Sequence, residues 1–361
     1  MQKHAPLPLW SVAWPVVGWV LLGGSLFGVV GGWWVALLAA GLVGTVLSAV
    51  HHAEVVAHKV GEPYGTLVLA LAITVIEVAL IVSMMLAGGP ETTALARDTV
   101  FAAVMLILNG IVGICLLAGG SRYREQTFGQ LGVSASLTTL AAIAVLTLVL
   151  PNYTTSVVGP VYSPSQLAFV AIVSLVLYGT FVLVQAVRHR DYFLPPEARA
   201  DAEAHANPPN GKLAAISAGL LLLGLVAVVL LAKALAPTIE TAVASAGAPK
   251  AVVGIIIAMV VLLPEGLAAY RAARANRLQT SLNLALGSAL ASIGLTIPAV
   301  AIVSLATGWT LTLGLDIKSS VLLLLSLFIS TLSLSTGRTT VLQGTVHLVL
   351  LATYLFTTIV P

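Results

Sequence analysis

Two glutamates stand where a carboxylate costs most. Glu77 closes the run GEPYGTLVLALAITVIE and Glu265 closes GAPKAVVGIIIAMVVLLPE, and of the 13 acidic residues only these two lie deep inside apolar stretches. A charge at the centre of a bilayer costs roughly 2.5–3.5 kcal/mol on insertion scales, so two bare carboxylates cost about 5–7 kcal/mol, comparable with the whole stability of many proteins. The same runs hold no central Lys or Arg, which leaves protons or a bound cation to neutralise them. A cation and protons competing for one pair of carboxylates is the chemistry of an exchanger. The plainer alternative is that each glutamate is protonated and makes a helix-packing hydrogen bond.

Oxygen-bearing neighbours at helical spacing suit a hard cation, which prefers carboxylate, carbonyl and hydroxyl ligands. Thr74 lies one turn before Glu77. Ser288, Ser292 and Thr296 fall at i, i+4 and i+8 on the apolar run after Glu265, and Asn109 sits in the run after Glu77. The same residue types also mediate helix contact in lipid. Pro264, beside Glu265, removes a backbone donor and frees a carbonyl one turn earlier, or only kinks the helix. In HHAEVVAHKVGEPYG, His51, Glu54 and His58 share a helical face and Glu62 stands at the mouth of the Glu77 run. They read as cytoplasmic access or a pH sensor, or else as a solvated helix end followed by a helix start at Glu62-Pro63. His347 reads as packing rather than as a proton relay.

These positions require helices in lipid. Hydrophobic residues make up 59% of the chain and charged residues 8%, far from the quarter or so that a water-exposed surface carries. The formal charge of +3 comes from basic residues gathered in loops, so nucleic acid is not an expected partner; membrane lipid is. Nothing in the sequence speaks to oligomeric state. A single Cys115 in an apolar run gives neither a disulfide framework nor a metal cluster. With no identifiable nucleophile or polar substrate-binding domain, no enzyme and no cofactor are expected. A spanning helix needs about 20 apolar residues. Eleven such runs are predicted, roughly at 10–29, 33–50, 64–87, 99–119, 134–151, 166–187, 213–234, 250–270, 280–305, 317–335 and 341–360. Such continuous runs exclude a β-barrel. Twelve basic residues fall on the side of the N-terminus and four on the other, which places the N-terminus in the cytoplasm and the C-terminus outside.

The long polar segment His189 to Lys212 divides the chain. Residues 1–32 form a tail and an extra helix, 33–188 a first set of five helices, 189–212 a cytoplasmic linker and 213–361 a second set. Both glutamate runs begin Gly-x-Pro, with Pro63 fourteen positions before Glu77 and Pro249 sixteen before Glu265. Five helices per set force the two runs to enter the membrane from opposite sides, the inverted repeat of secondary transporters. At about 1.5 Å per residue each glutamate falls near the midplane of a core about 30 Å thick.

The segments HHAEVVAHKVGEPYGTLVLALAITVIEVALI, LLPEGLAAYRAARANRLQTSLNLALGSALASIGLTIP and STGRTTVLQGTVHLVLLATYLF resemble the bacterial calcium/proton antiporters of the cation/calcium exchanger superfamily, the ChaA type, over nearly the whole chain. That resemblance implies an eleven-helix exchanger of a bacterial inner membrane, with the family's two essential acids at Glu77 and Glu265. It makes GSALASIG, Gly287 to Gly294, the second ligand helix. Ala291 stands where eukaryotic relatives often carry Gln, and Met105 replaces the matching Ser of the first half. Calcium exchanged for protons is therefore the first expectation for the cargo; members of the group are also associated with sodium and potassium exchange, which makes a monovalent ion with the same site and mechanism the alternative. A passive channel is a third reading, against which the paired acids of an inverted repeat argue. Helix parity is directly testable: a tag after residue 361 should be accessible only from outside the cytoplasm and one near residue 205 only from inside. Labelling both from one side contradicts the eleven-span count.

Overall fold

The computed structural model describes residues 7–27, 31–61, 64–194 and 210–360. Eleven helices account for almost all of them: α1 (Leu9–Leu26), α2 (Gly32–Val60), α3 (Tyr64–Gly88), α4 (Leu95–Tyr123), α5 (Gln130–Tyr153), α6 (Pro164–Arg188), α7 (Gly211–Ser245), α8 (Ala251–Arg274), α9 (Leu278–Thr307), α10 (Ile317–Leu334) and α11 (Val341–Ile359). Among the described residues, nine of these are long and apolar enough to cross a membrane, and α1 and α3 add the shorter apolar stretches Leu9–Ser25 and Thr74–Leu86. The chain is an all-α multi-pass membrane protein in which one extra helix precedes two sets of five.

The helix ends follow local chemistry. Ser163 and Gln166 close a capping box before α6, with Pro164 in its first turn, and Thr340 with Gln343 does the same before α11. Asn210 and Asp316 cap α7 and α10. Two helices run further than their apolar stretches. The sequence-predicted ends at 50 and 234 become Val60 and Ser245. Polar residues end an apolar run without ending a helix. α2 stops only at Gly61, whose φ of 77° suits glycine, and α7 continues through Pro237.

Two compact units form, and each is built on its own terms. The first joins Met1–Met84 with Glu203–Ala248; the second joins Met85–Ala202 with Pro249–Pro361. They cut across the two sets of five, because the first helix of each set, α2 and α7, packs with α1. Packing and internal repetition are different divisions of a chain, so the repeat boundaries rest on the sequence.

In the first unit α1 lies antiparallel to α2. Pro15 has no N–H to offer the carbonyl of Ser11, one turn earlier. In lipid a bare carbonyl costs several kcal/mol. The Ser48 hydroxyl and His52 Nε2, 2.9 Å away, both reach that oxygen from α2. In the second unit α4 is central, and glycines set its neighbours. Gly120, Gly113 and Gly344 let α4 and α11 cross antiparallel with backbones nearly touching. Gly254 lies on Thr99 and Gly266 on Ile111; both pairs step by twelve residues in the same sense, so α8 runs parallel to α4. The strands β1 (Gln126–Thr127) and β2 (Arg338–Thr339) pair antiparallel at the end where α4 finishes and α11 begins.

A methyl at Gly344 would press on the backbone N and Cα of Leu117, which no rotamer change relieves. Gly344→Val should therefore destabilise the protein by at least about 1–3 kcal/mol. Gly219→Ala, where nothing lies within 4 Å of an added Cβ, should cost nothing. Unfolding midpoints in detergent measure both, and equal midpoints would remove the glycine crossing as a determinant of α4–α11 packing.

Candidate functional site

Glu77 is the fourteenth residue of the 25-residue α3 and only 4% exposed; Thr74, one turn before it, is 3% exposed. Glu265 is the fifteenth residue of the 24-residue α8 and half-buried. The two acids occupy matching depths on helices from opposite halves. Pro264 lies inside α8, so the carbonyl of Val260 loses its helical donor one turn before Glu265.

The parallel register of α8 on α4, with Gly266 against Ile111, brings Glu265 to the level of Asn109 in the second unit. Asn109 lies in a π-helical turn, Leu106–Ile111, that interrupts α4. Such turns recur at functional sites because the extra residue turns side chains to a new face and disturbs the carbonyl ladder. Asn109 is fully buried. The Ser326 hydroxyl donates to the Leu322 carbonyl at 2.7 Å, so its oxygen accepts, and the Asn109 Nδ2 donates to it at 2.8 Å. That bond fixes the amide orientation and leaves Oδ1, the better cation ligand, with no protein donor among the described residues. The Met105 thioether lies 3.5 Å from the Ser326 hydroxyl and 3.8 Å from Nδ2.

α9 packs on α8, α4 and α6. On it Ser292 and Thr296 are buried and Ser288 is half-buried, as their spacing on one face requires. The two glycines of GSALASIG differ: an added Cβ at Gly294 would meet Tyr178 of α6 at 2.8 Å, while nothing lies within 4 Å of Gly287. Gly294 is a packing residue.

The histidine segment is helical, as a shared face of His51, Glu54 and His58 requires, and its burial varies around the turn. Glu54 and His58 are exposed, and His51 is half-buried with Nδ1 4.0 Å from Glu54 Oε2 and its ring 5.2 Å from that of Trp10. The buried histidine is His52, which the sequence reading passed over; it holds α1 to α2 through the Ser11 carbonyl. Its signal was Pro15, four residues past the carbonyl it frees. Glu62 lies outside the described residues, as do Glu197, Asp201, Glu203 and His205 of the linker. Sequence reasoning also missed Ser326, whose partnership with Asn109 spans 217 positions. Arg97 and Asp98, 2.8 Å apart, form an ion pair in the first turn of α4, where Arg97 also donates to the Gly314 carbonyl. Among the described residues no three His, Cys, Asp or Glu side chains cluster to hold a metal. A cation beside these acids therefore depends on amide, hydroxyl and carbonyl oxygens.

An acid deep in an apolar helix of each half is what a secondary cation transporter requires. The chain belongs to the sodium/calcium exchanger family, matching it over residues 30–187 and 216–360, one stretch in each half. A Sinorhizobium fredii protein described as an ionic transporter, y4hA, is 49% identical over 362 positions, covering 99% of this chain and 98% of that one. The sodium-potassium/proton antiporter ChaA of Escherichia coli is 36% identical over 323 positions, covering 89% and 87%. The native structure of YfkE superposes with a TM-score of 0.73 over 98% of this chain and 99% of that one, and at 16% identity it speaks to the fold alone. The protein is a cation exchanger and not an enzyme.

Proposed function

We propose that this protein is a proton-coupled cation antiporter of a bacterial inner membrane, in which Glu77 and Glu265 hold protons and a cation in turn as the site opens alternately to the two sides. The observation that carries the reading is the matched pair: the fourteenth residue of α3 and the fifteenth of α8 are the acids deep in apolar helices, and the helices belong to opposite halves of the chain. Asn109 Oδ1, Thr74, Ser288 and Ser292 supply further oxygens. The basic-residue bias puts the N-terminus and the linker in the cytoplasm.

For the cargo, the oxygen count favours a monovalent ion. Calcium takes six to eight oxygen ligands. Here Met105 puts sulfur beside Asn109, and Ala291 adds no donor to α9. The 36% identical Escherichia coli relative is a sodium-potassium/proton antiporter, which points the same way. Calcium is the second reading, favoured by the family's description and by two carboxylates whose joint charge matches a divalent ion.

Glu77→Gln and Glu265→Gln should each abolish coupled exchange in proteoliposomes while leaving a folded, inserted protein, since Gln keeps the volume and loses the titratable charge. Normal exchange by either variant removes the two-carboxylate mechanism. Protons and cation compete, so cation affinity must weaken as pH falls. Where the site is protonated, the logarithm of affinity should rise with pH at a slope near one for a monovalent ion that displaces one proton, and near two for calcium displacing two, then flatten once the site is deprotonated. Binding titrations with sodium, potassium and calcium between about pH 5 and 8 distinguish these cases, and affinity independent of pH contradicts a shared site.

A further inference from the structure

We propose that a second polar column inside the second unit, built by α4, α10 and α11 and centred on His347, carries the proton that the cation displaces; this rests on the antiporter reading above.

His347 is fully buried, seven residues into α11. The glycine crossing presses it on α4, where an added Cβ at Gly113 would lie 3.0 Å from the His347 Cβ. Its Nε2 is 2.8 Å from the Ser333 hydroxyl of α10. Its Nδ1 is buried with no well-formed hydrogen bond, although the Leu108 carbonyl, within the π turn that holds Asn109, is close enough to act on the ring. Ser326, Ser330 and Ser333 fall at i, i+4 and i+7 of α10, one face. The first bonds Asn109 and the last bonds His347. Ser330, between them, is fully buried and its Oγ has no protein partner. The stripe covers about 10 Å of helix.

Asn109 Oδ1 and Ser330 Oγ are thus two buried polar atoms on one column without a protein partner among the described residues, and His347 Nδ1, beside the Leu108 carbonyl, is a third with no well-formed hydrogen bond. In a membrane such atoms are costly, and ordered water is the usual means by which a polar interior satisfies them. A packing histidine needs neither a serine stripe nor an unbonded ring nitrogen. The column starts near the β1–β2 ribbon, since β2 leads directly into α11, and ends at the level of Glu265.

Among the described residues no fixed charge is recorded against the His347 ring to hold an imidazolium. Asp98 and Tyr354 neighbour each other at the opposite ends of α4 and α11 from the ribbon, and Lys318 of α10 bonds the Thr357 carbonyl at the far end of α11. Glu265 of α8 is the acid that the column approaches. The ring therefore passes a proton through instead of storing it. Nδ1 takes a proton from a protonated water, which is left as water; Nε2 releases its proton to the Ser333 oxygen, and that hydroxyl gives its own proton to a second ordered water. The ring stays neutral, one proton has moved, and reorientation of ring and hydroxyl restores the start.

The test separates proton movement from cation binding. Wild type, His347→Leu, His347→Gln and Ser330→Ala are reconstituted, and each is measured for cation-driven proton flux and for tracer exchange of the same cation at equal pH on both sides. Cation-for-cation exchange moves no proton. The expected result is that proton flux falls about tenfold or more in both His347 variants, and by a smaller factor in Ser330→Ala, while tracer exchange stays within about twofold of wild type. Gln keeps a hydrogen bond to Ser333 and cannot relay, so it decides the matter where the Leu variant does not fold. Equal loss of both modes in well-folded His347→Gln, or no loss in either mode, overturns the proposal. If wild type exchanges cations and moves no protons, the antiporter reading fails first and the column with it.

Discussion

Inside a bilayer a polar atom meets no water, so each one in this chain has to be satisfied by another part of the chain or by something that it carries. Pro15 leaves the Ser11 carbonyl bare, and α2 answers with Ser48 and His52. The Asn109 amide nitrogen is met by Ser326, whose own proton is spent on Leu322. Where the described residues offer no partner, as at Asn109 Oδ1, ordered water or, on the proposed reading, the cargo takes that place. Structure and transport chemistry in this protein are two outcomes of the same constraint.

The same solvent weakens the hydrophobic drive between helices, since lipid tails are as apolar as leucine, and leaves close backbone approach to bring them together. The second unit is organised that way. Gly113 and Gly344 set α11 on α4, and Gly254 and Gly266 set α8 on α4 in parallel register. That register matters for the site, because it fixes Glu265 at the level of Asn109. A side chain added at these glycines would separate the helices that carry the chemistry.

Much of this was legible in the sequence, and for one reason: charge in an apolar run is improbable unless it works. The isolation of Glu77 and Glu265 followed from composition alone, and the eleven helices followed from run length and the spacing of basic residues. Other features were not legible because they depend on pairs distant in the chain. His51 and His52 are adjacent, and only the carbonyl freed by Pro15 on another helix decides that His52 is the buried one. The ends of α2 and α7 were misplaced because hydropathy tracks lipid, whereas a helix ends at a breaker such as Gly61. The π turn at Asn109 leaves no periodic signature in LILNGI, and the packing of α2 with α7 crosses the halves that the linker suggests.

The two helices proposed to supply ligands, α4 and α9, differ in the groups that they carry. α4 presents an amide on a π turn, with a thioether and a serine beside it. α9 stays α-helical and presents hydroxyls at Ser288, Ser292 and Thr296, with Pro298 freeing the Gly294 carbonyl one turn earlier. An amide oxygen is a stronger neutral donor to a hard cation than a hydroxyl is, while a hydroxyl can both accept and pass a proton. On the proposed reading, the half that holds Glu77 would contribute the better cation ligand through α4, and the half that holds Glu265 the better proton-handling groups through α9. A change of ion preference would then arise most readily by substitution along α4, at Met105 or Asn109, with the paired acids left untouched.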